Sequence, residues 1–371
     1  MTRRFVVHLG CSKTGTSSLQ AGLWDSVDAL ATAGVGLPFR DREEHLDQLL
    51  KPMGWLPVEA YVGDHDREAL AAAAAHIRAT PGEVLFASNE DLAEVDQRAA
   101  EALVRVAAEA ETELHLMITL RGWAHQLPSD YQQFLKHRMT LGFADFLDAV
   151  RDRSGLWADR FWARQDPLTV LARFESLVPA ERIHLVPITS ADPEMIFRET
   201  GAIVGFDPAL ISRPAAAVNT SFGSVEAEVL RRVTLAVGDQ LPVYRDYARA
   251  IRRPFVRGVL PPEASPRLRL TPEHLGWVQE YADQAVTAMR TGGYAVHGDL
   301  DTLRPIASQT APLPEVSEAE VARVAVETLA RYAVRQSGRA GGRTASQPAP
   351  TGASGGSARR SRWWRRGTAR S

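Results

Sequence analysis

The chain has 371 residues, 45% of them hydrophobic and 24% charged, with a net charge of −2 and a single cysteine, Cys11. A chain of this length buries a large core without disulfides, and one cysteine excludes an internal disulfide. Eight arginines and no acid lie from Arg339 to the C-terminus, so the rest carries −10. An acidic body argues against nucleic acid as its main partner and leaves any anionic ligand to a local site.

Met1-Thr2-Arg3-Arg4 is basic, but the apolar run Phe5–Leu9 is too short for a signal-peptide core. No run approaches the roughly 18 apolar residues that span a bilayer. Together with the lone cysteine this predicts a cytoplasmic protein.

Phe5–Leu9 reads as a buried strand, followed by a Gly/Ser/Thr loop and a helix to about Ala33. Val84–Ala87 follows the turn signal Pro81-Gly82 as a second strand. Ala99–Ala110 reads as a helix, and Leu114–Leu120 and Ile183–Val186 as further strands. Strands alternating with helices predict an α/β fold, three-layered and P-loop-like, with a central parallel sheet flanked by helices. Ligands then bind at the carboxyl ends of the strands. The second half reads as mostly helical, over Gln165–Glu175, Glu194–Val204, Ser224–Val237 and Thr271–Arg290. The α/β domain is expected to span 1–305, with a Pro-bearing linker at 306–316. Ser317 and Glu320 form a capping box for an amphipathic helix at 317–336, and a disordered basic tail fills 337–371.

The first strand runs directly into Gly10-Cys11-Ser12-Lys13-Thr14-Gly15-Thr16-Ser17. A strand, a Gly/Thr-rich turn and a helix N-terminus form an anion cradle, to which Lys13 adds a charge and Thr14, Thr16 and Ser17 add hydroxyls. The alternative is a strand–helix turn with a surface lysine. A Walker A loop has its lysine after the second glycine. Here Thr16 takes that place and Lys13 precedes Gly15. The displaced charge argues against an ordinary ATPase or kinase, which remains the alternative enzyme.

Lys13-Thr14-Gly15-Thr16-Ser17, with Leu19-Gln20 after it, resembles the 5′-phosphosulfate loop of sulfotransferases that use 3′-phosphoadenosine 5′-phosphosulfate (PAPS). In that family a strand ends in arginine, and a serine eight residues on completes a 3′-phosphate site. Leu114–Leu120 ends at Arg121, and Ser129 stands eight residues later. The family's usual aspartate after the arginine is Gly122 here. Softer likenesses run through Trp162–Val186, Asn219–Arg232 and Tyr294–Leu300, so the resemblance covers roughly residues 5–305. It resembles the bacterial, actinobacterial branch.

The resemblance implies an in-line sulfuryl transfer from PAPS to a hydroxyl or amine, with 3′-phosphoadenosine 5′-phosphate as product and no metal required. Lys13 would meet the bridging oxygen. Ser12 through Ser17 would hold the 5′-phosphosulfate, and Arg121 and Ser129 the 3′-phosphate. Asn219 and Ser221 would touch nucleotide or acceptor. Glu90, after the strand Val84–Ala87, is the candidate general base. Its competing reading is a first-turn acid of a helix capped by Asn89. His8 reads as a sheet-packing residue. His125, Lys136 and His137 either line the site or face solvent. Cys11, beside a helix start, either ionises readily or is structurally inert. The acceptor is a carbohydrate, lipid or small metabolite. A non-catalytic relative that binds nucleotide without turnover is the reading from another class. Arg359–Arg366, with Trp363 and Trp364, fits weak contact with an anionic membrane surface, here the inner face, or another polyanion, with no specific nucleic acid.

Overall fold

The structure, a computed structural model, describes residues 2–56, 61–62, 65–213, 222–261 and 265–341. Asn219, Ser221 and the basic tail from residue 342 lie outside the described residues.

Six parallel strands form the central sheet: β1 (Arg3–Gly10), β2 (Val35–Gly36), β5 (Val84–Ser88), β6 (Thr112–Arg121), β7 (Ile183–Ile188) and β8 (Ala295–Val296). Two further short strands, β3 (Trp55–Leu56) and β4 (Tyr61–Val62), make a separate antiparallel pair. The sheet order is β2-β5-β1-β6-β7-β8, with β1 paired to β5 on one side and β6 on the other. The chain crosses from β5 over β1 to β6, which makes the carboxyl end of β1 a topological switch point.

Both faces of the sheet are covered, as an all-parallel sheet requires. Strand periodicity divides the core. Phe5, Val7 and Leu9 of β1 pack into one buried cluster with Leu85, Leu116 and Ile118. Val6 packs into the opposite cluster with Phe86, Met117 and Val186. The helix Thr16–Trp24 presents Leu19 and Leu23, one turn apart, to this second cluster. Burying each contributes about 2 kcal/mol and anchors the loop that precedes the helix.

Three sequence expectations change in detail. The first helix breaks after Trp24 and resumes at Val27–Thr32. Ser26 at the break accepts from the Ser212 amide at 2.9 Å, a distant contact that competes with helix continuation. The expected helix Gln165–Glu175 shortens to Pro167–Ala172, set off at Asp166 from a preceding helix, Leu156–Gln165. Asp166 caps the second by accepting from Leu168 and Thr169, and Pro167 occupies its first position. The C-terminal helix runs over Glu318–Gly341, past the expected 336, with the Ser317–Glu320 capping box formed in both directions. Val321, Val324 and Thr328 are buried against the body, and Arg232 forks onto Glu318 at 2.7 Å. No described helix is long and apolar enough to cross a membrane.

Candidate active site at the carboxyl ends of β5, β1 and β6

The loop after β1 is set by two glycines. Gly10 has φ +101°, and a Cβ there would stand 3.1 Å from the Glu90 Cα. Only glycine lets the two strand ends approach this closely. Gly15 has φ +87° and precedes the helix Thr16–Trp24 with no side-chain cap. Lys13 itself is left-handed, φ +68°, an uncommon backbone state for a residue with a side chain. Among the described residues, the amides of Lys13, Thr14, Gly15, Thr16 and Ser17 have no hydrogen-bond acceptor. Free amides, a helix N-terminus and a lysine thus converge on one spot.

Polar contacts beneath the loop hold its shape. His8 bridges the strands, with Nδ1 2.8 Å from Ser88 Oγ and Nε2 3.0 Å from Thr119 Oγ1. Thr119 Oγ1 lies 2.6 Å from Thr14 Oγ1, which donates to the Cys11 carbonyl at 2.5 Å. Burial lowers the His8 pKa to about 4, against a smaller opposing pull from Glu90, so the bridging imidazole is neutral. Burial raises the Cys11 thiol to about 12, helped by Asp130 and Asp166. The thiol therefore stays protonated despite its place near a helix start.

Two hydroxyls expected to face a ligand are engaged in the protein. Thr14 is fully buried in the bonds just described. Ser12 Oγ takes hydrogen bonds from Arg164 at 2.6 Å and Gln165 at 2.8 Å, and its carbonyl takes one from Gln126 at 3.1 Å. Thr16 is also buried, whereas Ser17 is exposed at the loop mouth. Ser12 and Thr14 shape the loop from within.

The end of β6 supplies the second set of groups. Arg121 donates through NH1 to Ser129 Oγ at 3.1 Å and to the Lys13 carbonyl at 3.3 Å. Ser129 lies on the helix Trp123–Leu135, whose first turn starts immediately after β6. The same helix carries Asp130, which is fully buried, with neither carboxylate oxygen hydrogen-bonded among the described residues. Burial pushes its carboxyl up, and Arg164 and Lys13 pull it back. Burial likewise pushes the Lys13 ammonium below its usual range, partly offset by Asp130. Lys13 has no ion pair or side-chain hydrogen bond among the described residues.

Glu90 opens a short 3₁₀ turn, Glu90–Glu94, with the Asn89 side chain accepting from the Asp91 amide at 2.9 Å. The capping alternative is thus realised without removing Glu90 from the site. Gln20 donates to Glu90 Oε2 at 2.8 Å, and Arg42 lies 3.4 Å from Oε1. Burial raises the Glu90 carboxyl, but Arg42, the local backbone and Gln20 outweigh it and hold it below the usual carboxylate range.

The structure thus brings Ser12–Ser17, Glu90, Arg121 and Ser129 to one end of the sheet. Sequence reasoning missed Arg42, Asp130, Arg164 and Gln126. Of these, only Asp130 carried a local signal, as the acid directly after Ser129. The described residues contain no group of three or more His, Cys, Asp or Glu side chains placed to hold a metal ion.

No family model matches the chain, and no curated protein matches it. A solved sulfotransferase from Alicyclobacillus acidocaldarius is similar to 65% of this chain and 96% of its own, at 17% identity and a TM-score of 0.39. A likeness that distant carries no argument about chemistry. The class defined by the structure itself is an α/β protein with a glycine-framed, lysine-bearing loop at the switch point of a parallel sheet.

Proposed function

We propose that the protein is a sulfotransferase that moves a sulfuryl group from PAPS to a hydroxyl or amine of an acceptor. The carrying observation is that Arg121, 3.1 Å from Ser129 Oγ, also reaches the backbone of Lys13. Two phosphate-site motifs recognised separately in the sequence therefore form one surface. A donor with phosphate groups at both its 5′ and 3′ ends needs two such sites, and ATP does not.

The residues fit that donor. The unbonded amides of Lys13–Ser17, with the Lys13 charge and the Ser17 hydroxyl, suit a 5′-phosphosulfate. The Arg121 fork and Ser129 suit a 3′-phosphate. In the transfer, the acceptor oxygen forms a bond to sulfur as the bond from sulfur to the bridging phosphate oxygen breaks. Glu90 takes the acceptor proton. Lys13 neutralises the charge that gathers on the leaving phosphate, the task that fixed charges do best in a water-poor site. Ser12 and Thr14 keep the loop amides aimed, and Gln20 and Arg42 keep Glu90 ionised and aligned. No step here calls on a metal.

Calorimetric titration of 3′-phosphoadenosine 5′-phosphate in EDTA tests the reading. Binding that Arg121→Ala weakens by about 10–100-fold supports it, since charge-assisted hydrogen bonds contribute roughly 1.5–3 kcal/mol. Metal-dependent ATP binding in its place overturns it.

A further inference from the structure

We propose that the acceptor carries its own anionic group, a sulfate, phosphate or carboxylate, held by Lys136 and Arg252 beside the transfer site. This rests on the sulfotransferase reading and names the acceptor class for that site.

The chain has only three lysines among its 43 Lys and Arg residues: Lys13, Lys51 and Lys136. Lys51 is exposed and paired with Asp47. The other two are close enough for the Lys13 charge to act on the Lys136 ammonium. Lys136 follows the helix that carries Ser129, seven residues on, which places it on the same face two turns away. Its ammonium lies 4.8 Å over the Phe222 ring. Among the described residues it has no hydrogen bond and no carboxylate partner. Its charged neighbours are cations, Lys13 and Arg252.

Arg252 extends the same wall. Its NH1 donates to Tyr244 Oη at 3.2 Å, and Tyr244 Oη lies 2.7 Å from His137 Nδ1. The Tyr244 and His137 rings stack at 5.9 Å. His137 is buried, and burial and the charges of Arg252, Arg164, Arg160 and Lys13 disfavour its protonation. The nearby acids are matched elsewhere. Glu94 faces Arg164 and Arg160, and Asp130 faces Arg164 and Lys13. Among the described residues neither Lys136 nor Arg252 forms an ion pair.

Clustered cations with little solvent and no counter-charge repel one another, and binding an anion relieves that repulsion. Burial, Lys13 and Arg252 push the Lys136 ammonium down to about 7, so it stands ready to recover its proton beside an anion. The donor has its own contacts in the loop, Arg121 and Ser129. The spare positive charge therefore belongs to the second substrate, and it accumulates on a body whose net charge is −10.

The three-lysine composition gives a direct readout. Reductive ¹³C-methylation labels each lysine and the N-terminal amine, and NMR then follows the three lysine signals, assigned by substitution. The protein is first loaded with 3′-phosphoadenosine 5′-phosphate, which moves the Lys13 signal. Sodium sulfate, 4-hydroxybenzoate and the neutral 4-hydroxybenzyl alcohol are then titrated at constant ionic strength. The proposal expects a saturable shift of Lys136 with the anions and none with the neutral alcohol. It also expects Arg252→Met to weaken that response about tenfold while leaving the Lys13 response to nucleotide intact. Sulfate that moves Lys13 alone occupies the transferred-group position and counts against the proposal. No Lys136 response to any anion overturns it, as does a Lys136 signal that answers only to nucleotide. A Lys13 signal unmoved by nucleotide overturns the donor reading instead, and Lys136 still reports on anions in that case.

Discussion

Arg121 donates to the main-chain carbonyl of Lys13 across 3.3 Å, although 108 residues separate them. The contact joins the end of β6 to the loop after β1, so a change at either residue is felt at both of the proposed phosphate subsites. Arg121→Lys is therefore not conservative. A single ammonium cannot serve Ser129, the Lys13 carbonyl and a phosphate together. We expect nucleotide affinity to fall about tenfold in this variant by calorimetry, less than in Arg121→Ala.

Lys13 is the only cation of the segment Gly10–Ser17, and the buried Asp130 partly offsets the effect of burial on it. Lys13→Met removes charge from the point where the leaving phosphate gathers it. Turnover with labelled PAPS should drop by about 10²–10³-fold, the usual size of losing one such stabiliser. Circular dichroism should stay unchanged, because the Lys13 side chain has no ion pair or hydrogen bond among the described residues, and its carbonyl contact with Arg121 survives the substitution. An unaltered turnover rate would remove Lys13 from the mechanism.

Glu90 is held below the usual carboxylate range, chiefly by Arg42 acting against burial. Removing Arg42 lets burial prevail, so the Glu90 pKa rises in Arg42→Ala. A base must be deprotonated to act, so the acid limb of kcat/KM should move to higher pH in that variant. Glu90→Gln should lower kcat by about 10²–10⁴-fold. An acid limb that stays in place when Arg42 is removed would assign the base elsewhere.

His8 has its pKa lowered to about 4 by burial, against 6.5 when unfolded. The unfolded chain therefore binds more protons between those values. Stability from this group is complete above pH 6.5 and is lost as pH falls towards 4, by about 3 kcal/mol. Urea unfolding at pH 7.5 and pH 5 should show about 2 kcal/mol of that loss, and it should be smaller in His8→Gln. His184 is lowered to about 4 as well, so some pH dependence should persist in that variant.

Cys11 is fully buried with its thiol raised to about 12. A disulfide reagent should not modify the folded protein at pH 8 and should modify one thiol per chain in urea. Rapid modification of the folded protein would show that the loop opens.

Much of the frame was legible in the sequence because its signals are local. Phe5–Leu9, Val84–Ala87, Leu114–Leu120 and Ile183–Val186 are dense apolar runs, as strands buried on both faces must be. Strands β2 and β8 are two residues each and carry no periodicity to detect. The break after Trp24 was invisible because its cause is Ser212, far away in the chain. The same distinction separates the site residues. Lys13 and the pair Arg121 and Ser129 announce themselves by spacing within one segment. Arg164, Gln126 and Arg42 act only through contacts that the fold creates.

The sequence by itself determined the alternating α/β order, the glycine-framed loop with its displaced lysine, and the eight-residue step from Arg121 to Ser129. Spacing along the chain encodes these because each lies within one strand–loop–helix unit. Only the tertiary structure decided which hydroxyls are spent inside the loop, how Arg42 and Gln20 set the charge of Glu90, and that Lys136 and Arg252 have no carboxylate partner among the described residues. Those outcomes depend on burial and on charges brought together from distant segments, and neither is a property of any one stretch of chain.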